Sequence, residues 1–439
     1  MKPIRVSRFT RRHFLATATT ALAAPMIVPG SVLGQGRPAP SNRITMAVFG
    51  WGMQGPGNTG AFMNLPECQV VAACDVDRNH LQSAVNAING KYGNQDCKAY
   101  HDYREVMART DIDTVMLALP DNWHTLTSVE AARNKKDIYG EKPLARTIAE
   151  QQAIVKAVQQ HERIWQTGSW QRSVANFHYA CEIVRNGLIG KVTRIEVGLP
   201  SGHHDFAGTR QFMTVTEPPP ELDYEAWIGP SRMEPYIRGR VHMNWRWNYN
   251  IGGGQLLDWV GHHCDIAHWG MDWDGTGPTE IEGTGEFPPA DAVWNTCTRY
   301  RINLKYPGDV TMVMAGGHRD IQGGTKWIGA DGWVWVDRGR FDTSIAALKD
   351  ATRLPESERK VKLHSSRNHQ KDFLDSVKSR KPTITPVESA HRSAVPGHLG
   401  LIAMLTGRKL RWDPKREVLL NDEDAAKLLT RDYRFPWRI

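Results

Sequence analysis

Six cysteines are scattered through 439 residues, at Cys68, Cys74, Cys97, Cys181, Cys264 and Cys297, with no CxxC pair among them. That sparseness excludes a disulfide-stapled scaffold and a zinc ribbon and leaves the thiols as small core residues. Long apolar runs are also lacking. Past residue 34 no segment reaches the roughly 18 consecutive apolar residues that would span a bilayer, so no stable membrane insertion is expected. The third lack is surplus charge. The formal net charge is +8, but five of the 55 Lys and Arg (Lys2, Arg5, Arg8, Arg11 and Arg12) fall in residues 1–34, which hold no acid; the remainder carries 50 basic against 47 acidic residues. A surface so nearly neutral offers no electrostatic footprint for nucleic acid.

What is present begins with a leader. A basic stretch, an apolar stretch from Phe14 to Val28 and small residues at Gly30, Ser31 and Gly34 read as a targeting segment over 1–34. Within it Thr10-Arg11-Arg12-His13-Phe14-Leu15 resembles the twin-arginine export signal, which implies the Tat translocon as a transient partner and a periplasmic or otherwise exported protein. A Pro-containing polar arm follows over 35–42. With 40% hydrophobic residues the rest can bury a large core.

From Ile44 short apolar runs (Ile44 to Phe49, Gln69 to Cys74, Thr114 to Leu119, Asp137 to Tyr139, Ile164 to Thr167) alternate with helical segments. That alternation predicts a parallel, doubly wound α/β Rossmann domain over 43–164. After about Gly168 the texture changes to longer β-rich stretches (Val192 to Gly198, Thr296 to Leu304, Val310 to Met314, Trp327 to Val336), predicting an α+β domain over 165–439 with an open-faced, mostly antiparallel sheet. Residues 368–378, stopped by Lys381-Pro382, have the spacing of a packing helix.

Gly50-Trp51-Gly52-Met53-Gln54-Gly55 places GxGxxG at the end of the first apolar run, where helix N-terminal amides meet a pyrophosphate and only glycine lets the backbone come close. Twenty residues on, a second run ends at Asp75, whose carboxylate can take both ribose hydroxyls, the NAD arrangement. Asp77 suits a helix N-cap, and Arg78 could meet a 2′-phosphate, so NAD and NADP both stay open.

Beyond this motif stand Asp102-Tyr103-Arg104-Glu105, Leu119-Pro120-Asp121-Asn122-Trp123-His124 and Glu141-Lys142-Pro143, then Gly252-Gly253-Gly254 running into Asp258, Gly261, His262 and Asp265. In this order they resemble the glucose-fructose oxidoreductase and inositol dehydrogenase family, Gfo/Idh/MocA, over residues 43 to 410. The resemblance implies an active site in the cleft between the two domains. It places Leu119, Pro120, Asn122, His124, Glu141 and Lys142 about a tightly bound NAD or NADP, and makes Lys142, Asp258 and His262 the catalytic set. Removing a hydride from an H–C–OH carbon needs a base for the hydroxyl proton, which suits His262, and a fixed cation for the developing alkoxide, which suits Lys142. Asp258 and His262, four apart, would share a helix face, so the carboxylate could orient the imidazole or meet a substrate hydroxyl. Glu141 reads as a structural carboxylate, and Pro143 as a candidate for a cis bond.

Trp170 and Arg172 lie where the chain should cross between domains and are candidates for cofactor or sugar contacts; His203 and His204 are candidates for the substrate cleft. The set His262, His263, Asp265 and His268 is dense, yet it lacks metal-site spacing, and no metal is expected. Sixteen tryptophans, two of them in Asn244-Trp245-Arg246-Trp247, suit stacking on pyranose faces. The expected function is a nicotinamide-dependent oxidoreductase acting on a sugar, polyol or sugar derivative, in a homo-oligomer (dimer or tetramer). The rivals are a redox-neutral glycosidase, lyase or epimerase working by transient oxidation, and a non-enzymatic nicotinamide-binding sensor. Known NAD-dependent glycosidases of this kind carry Tyr-Pro-Thr-His-Gly where this chain has Asp258-Trp259-Val260-Gly261-His262, which counts against the first rival.

Overall fold

The strand Ile44–Phe49 (β1) is apolar on both faces, with Met46, Val48 and Phe49 buried, as a central parallel strand must be when helices cover both sides of a sheet. The computed structural model describes residues 38–39, 42–349 and 354–439. The segment over 1–34 that the sequence suggests is an export leader, and most of the arm, lie outside the described residues; Ile44–Ile439 forms one structural unit.

Beside β1 run β2 (Cys68–Cys74), β3 (Lys98–Tyr100), β4 (Thr114–Leu117), β5 (Asp137–Gly140) and β6 (Trp165–Thr167), all parallel, in the order β3-β2-β1-β4-β5-β6. Strand order reverses between β1 and β4, so a crevice opens at their carboxyl ends, where Gly50 and Ala118 follow. The sheet closes with Trp165–Thr167, past the boundary expected at residue 164. The six cysteines are buried free thiols.

The second half is a nine-stranded sheet whose strands lie in the order β13 (Arg340–Thr343), β12 (Trp333–Asp337), β11 (Gly324–Gly329), β7 (Val192–Leu199), β10 (Thr311–Gly316), β9 (Arg299–Lys305), β8 (Glu280–Glu286), β14 (Leu410–Asp413) and β15 (Val418–Leu419); β7 and β10 are parallel and every other neighbouring pair antiparallel. In Arg299–Lys305 (β9) Tyr300, Ile302 and Leu304 are buried while Arg299, Asn303 and Lys305 are exposed. That alternation belongs to a sheet with one face on the core and one toward water. The helices Ala175–Arg185, Asp265–Met271 and Val387–Thr406 join its covered face in one apolar core. The packing helix is His369–Ser379, and it returns to the first half: Phe373 meets Phe62 at 6.0 Å, edge to face. No helix among the described residues is long and apolar enough to cross a membrane.

Candidate active site

The crevice is a cavity of about 530 Å³ whose walls come from both halves of the chain. Its floor is the turn after β1. Gly50 has φ +84, and a Cβ there would stand 2.3 Å from the carbonyl oxygen of Ala118, so this turn admits only glycine. A Cβ on Gly55 would meet the Gly50 carbonyl oxygen at 2.0 Å, whereas one on Gly52 would meet nothing within 4 Å. Gly50 and Gly55 are therefore required by the fold, and Gly52 leaves room for a ligand. The helix Gly55–Met63 that follows has no side-chain N-cap and no acid in its first turn, which leaves its first amides for an anion.

At the end of β2 the Asp75 carboxylate is held rigidly: Oδ2 accepts from the Trp51 amide at 2.8 Å and Oδ1 from the Asp77 amide at 2.9 Å. Asp77 is the N-cap of Arg78–Tyr92, accepting from the amides of Asn79 and His80. An uncapped helix end, an open glycine and a fixed carboxylate fit the pyrophosphate and adenosine ribose of a dinucleotide. Two histidines complete that end. His80 Nδ1 lies 3.7 Å from Asp75 Oδ2, and that carboxylate raises the imidazole above its ordinary pKa; the ring of His242, from the second half, lies tilted against that of His80 at 4.9 Å between centres, and its pKa is lowered by burial and by that neighbour. Asp77, His80 and His242 are the one group among the described residues whose ligand atoms gather closely enough for a metal ion; the sequence did not show it, because His242 lies 162 residues from His80.

At the opposite end Lys142 Nζ donates to Asp258 Oδ1 at 2.9 Å and to the Asp258 carbonyl oxygen at 3.0 Å. Arg246 Nε stands 3.4 Å from the same Oδ1. Burial pushes the Asp258 carboxyl up, but Lys142 and Arg246 outweigh it and hold it below the ordinary range. His262 also lines the cavity, and its Nδ1 is buried with no hydrogen-bond partner. Burial, then the cations of Lys142 and Arg338, lower the imidazole well below its ordinary pKa, so the ring is neutral. The expected link between Asp258 and His262 is absent: Val260–Cys264 is a π-helical turn, and no hydrogen bond joins the two. The extra residue in that turn takes them off a common face and gives the carboxylate to the lysine. The bond between Lys142 and Pro143 is cis, as expected. Glu141 lines the cavity wall, accepts from Asn58 Nδ2 at 2.7 Å and is raised by burial, which agrees with a structural carboxylate.

Of the remaining candidates, Trp51, Met53, Gln54, Leu119, Pro120 and Trp170 face the cavity. Six do not. Arg172 is 2% exposed, and its guanidinium is spent on Asp265 (2.7 and 2.8 Å) and Asp274 (2.8 Å), tying the turn Trp170–Ser173 to the start of the helix Asp265–Met271 and to the turn after its end. The ring nitrogens of His124 lie 2.7 and 2.9 Å from the carbonyl oxygens of Pro143 and Leu119, so it clamps two cavity loops from behind. Asn122 Nδ2 donates to the Ile228 carbonyl oxygen at 2.9 Å. Arg78 points to solvent. His203 stacks on Trp247 with Nε2 3.0 Å from Thr296, and exposed His204 gives a carbonyl oxygen to Trp247 Nε1 and sets its ring 5.8 Å from that of Phe206, which itself reaches the cavity. Sequence reading missed Arg338, His80 and His242, each brought in by topology.

Fold and site together define a two-domain dinucleotide-binding protein with its cleft between a Rossmann half and an antiparallel-sheet half. Residues 44–169 match the oxidoreductase family NAD-binding Rossmann fold, and residues 174–439 the oxidoreductase family C-terminal alpha/beta domain. The chain belongs to the Gfo/Idh/MocA oxidoreductase family and takes a nicotinamide dinucleotide. Across 388 residues, 86% of this chain and 99% of the relative, it is 24% identical to myo-inositol 2-dehydrogenase of Thermotoga maritima. It is 32% identical over 179 residues to glycosyl hydrolase family 109 protein 2 of Shewanella sp. (strain ANA-3), an alignment covering 36% of this chain and 39% of that protein's length. Among solved structures, aldose-aldose oxidoreductase from Caulobacter crescentus complexed with glycerol superposes with a TM-score of 0.61 at 17% identity, over 84% of this chain and 99% of that one.

Proposed function

We propose that the chain oxidises a secondary hydroxyl of a sugar or polyol, with Lys142, Asp258 and His262 as the groups that meet the reacting carbon. The observation that carries this reading is the Lys142–Asp258 pair at 2.9 Å, in the same cavity as a buried neutral imidazole and the glycine turn. When bound, the nicotinamide supplies the acceptor for the hydride. The protein's own groups do the rest. Asp258 fixes the lysine ammonium, which stabilises the oxygen as its proton leaves. His262 takes that proton at Nε2, since Nδ1 is enclosed. Burial, and after it the cations of Lys142 and Arg338, keep the imidazole neutral; the same cations lower the pKa of the substrate hydroxyl, so a weakly basic ring suffices.

The relatives named for inositol and aldose chemistry support a polyhydroxylated substrate. The experiment is to mix purified protein, with its own nucleotide, with a panel of sugars and polyols and follow the absorbance of reduced nicotinamide. Reduction by at least one member is expected; a panel that leaves the spectrum unchanged contradicts the reading. A second reading, redox-neutral glycoside cleavage, is favoured by the family 109 match. It requires aryl-glycoside turnover with no net change in that spectrum. For the twin-arginine motif we propose export in the folded state with the dinucleotide already loaded. Periplasmic protein that is active without added nucleotide, and releases NAD or NADP on denaturation, is the expected result.

A further inference from the structure

Arg338 sits in the tight connection between the strands Trp333–Asp337 and Arg340–Thr343 and reaches the rim of the cavity beside His262. Its guanidinium lies over two indole rings at once, 4.8 Å from the centre of Trp170 and 4.5 Å from that of Trp259. Its Nε donates to Gln171 Oε1 at 3.1 Å. Contact with two aromatic rings, with a fixed Nε, orients a planar fork and leaves its two terminal nitrogens as the recognition surface. No carboxylate among the described residues pairs with them. Asp337, its neighbour in the chain, is engaged by Arg340 at 2.5 Å and faces His263 at 3.5 Å.

The charge count at this end of the cavity points the same way. Lys142 and Arg246 share the one carboxylate of Asp258, at 2.9 and 3.4 Å, and Arg338 is a third cation with none. Glu141, held by Asn58, adds a second carboxylate, so three cations face two. A cleft holding a cationic surplus, with a pre-oriented Arg at its mouth, is complementary to an anion that enters with the substrate. Trp259 joins the two features, standing against both the Arg338 guanidinium and the His262 ring (5.3 Å between ring centres), so the fork and the proton acceptor address one small molecule.

We propose that the substrate is a carboxylated sugar, of the uronic or aldonic acid class, whose carboxylate is received by Arg338 while a ring hydroxyl is presented to Lys142 and His262. A carboxylate is favoured over a phosphate because a single flat fork matches two coplanar oxygens, and Arg338 has no second free cation beside it for a dianion. The inference rests on the sugar-oxidising reading, and it is tested by binding as well as by turnover. The probes are D-glucuronate and D-galacturonate with their neutral counterparts D-glucose and D-galactose, and glucose 6-phosphate. The readouts are quenching of tryptophan fluorescence, to which Trp170 and Trp259 contribute, and single-turnover reduction of the bound nicotinamide.

Wild-type protein is expected to bind at least one uronate roughly 10- to 100-fold more tightly than its neutral counterpart, the usual worth of a charge-assisted pair. In Arg338→Gln that ratio should collapse toward one, and Arg338→Lys should restore only part of it. Equal affinity for uronates and neutral sugars, or an Arg338→Gln loss equal for both, overturns the proposal and leaves Arg338 a packing residue; tighter binding of glucose 6-phosphate than of either uronate overturns it in favour of a phosphate. Preferential uronate binding without nicotinamide reduction upholds the inference and removes the redox reading. Reduction by neutral sugars with no uronate preference does the reverse.

Discussion

Asp75 does two things with one carboxylate: it fastens the glycine turn through the Trp51 amide and presents the oxygens that suit ribose hydroxyls. Asp75→Ala should weaken NAD binding by roughly 10- to 100-fold, and NADP binding less, since the lost carboxylate also repels a 2′-phosphate. Equilibrium binding of both nucleotides checks this, and equal losses count against the assignment. At this scale the sequence was legible wherever a motif fixes a backbone. Gly50, Asp75 and Lys142 fell where expected because turn geometry and strand ends dictate them. It was illegible where a polar side chain could serve either a ligand or the fold. Arg172, His124, Asn122 and His203 look like site residues in the chain, but each is consumed by a carbonyl, hydroxyl or carboxylate that only the folded structure brings near.

The buried strands of the first half were readable because both-face burial makes them short apolar runs, whereas the short exposed edge strand Lys98–Tyr100 gave no such run. Glu280–Glu286 was not, since three glutamates and two glycines carry no β signal; its strand is imposed by seven residues in register with Arg299–Lys305. The π-helical turn Val260–Cys264 was equally hidden, because spacing assumes 3.6 residues per turn. That turn sets Gly261 against Lys142: a Cβ there would lie 2.9 Å from Lys142 Cβ. Gly261→Ala should therefore displace Lys142 and slow nicotinamide reduction by roughly 10- to 100-fold, the scale of an ångström-sized misplacement. Bound cofactor should change little. A rate within twofold of wild type would show that the turn does not position the lysine.

Across the whole molecule, burial has removed the charge from several histidines. His263, His268 and His369 are lowered from 6.5 to about 4, and His398 to about 3, in each case chiefly by desolvation. Since their folded pKa values lie below the unfolded value, protonation favours unfolding. Their contribution is complete above about pH 6.5 and is lost as pH falls toward 4, by about 1.4 kcal/mol per pH unit for each group. His80 and His364, raised by Asp75 and Asp372, work in the opposite direction but are fewer. Tm should hold near neutrality and fall steeply below about pH 6. Calorimetry across that range, with proton uptake on unfolding measured at about pH 5, checks it; a Tm unchanged down to pH 4 would contradict it.

The central claim is that His262 moves a proton for the reaction and is not a satisfied core histidine. Its most direct test is single-turnover reduction of the bound nicotinamide in His262→Ala, with Tm and bound nucleotide measured on the same preparation. The expected result is a rate lower by roughly 10²- to 10⁴-fold, the usual contribution of a general base, with cofactor content and Tm near those of the parent. Reduction at the parental rate, or a modest loss that follows the folded fraction, would contradict it.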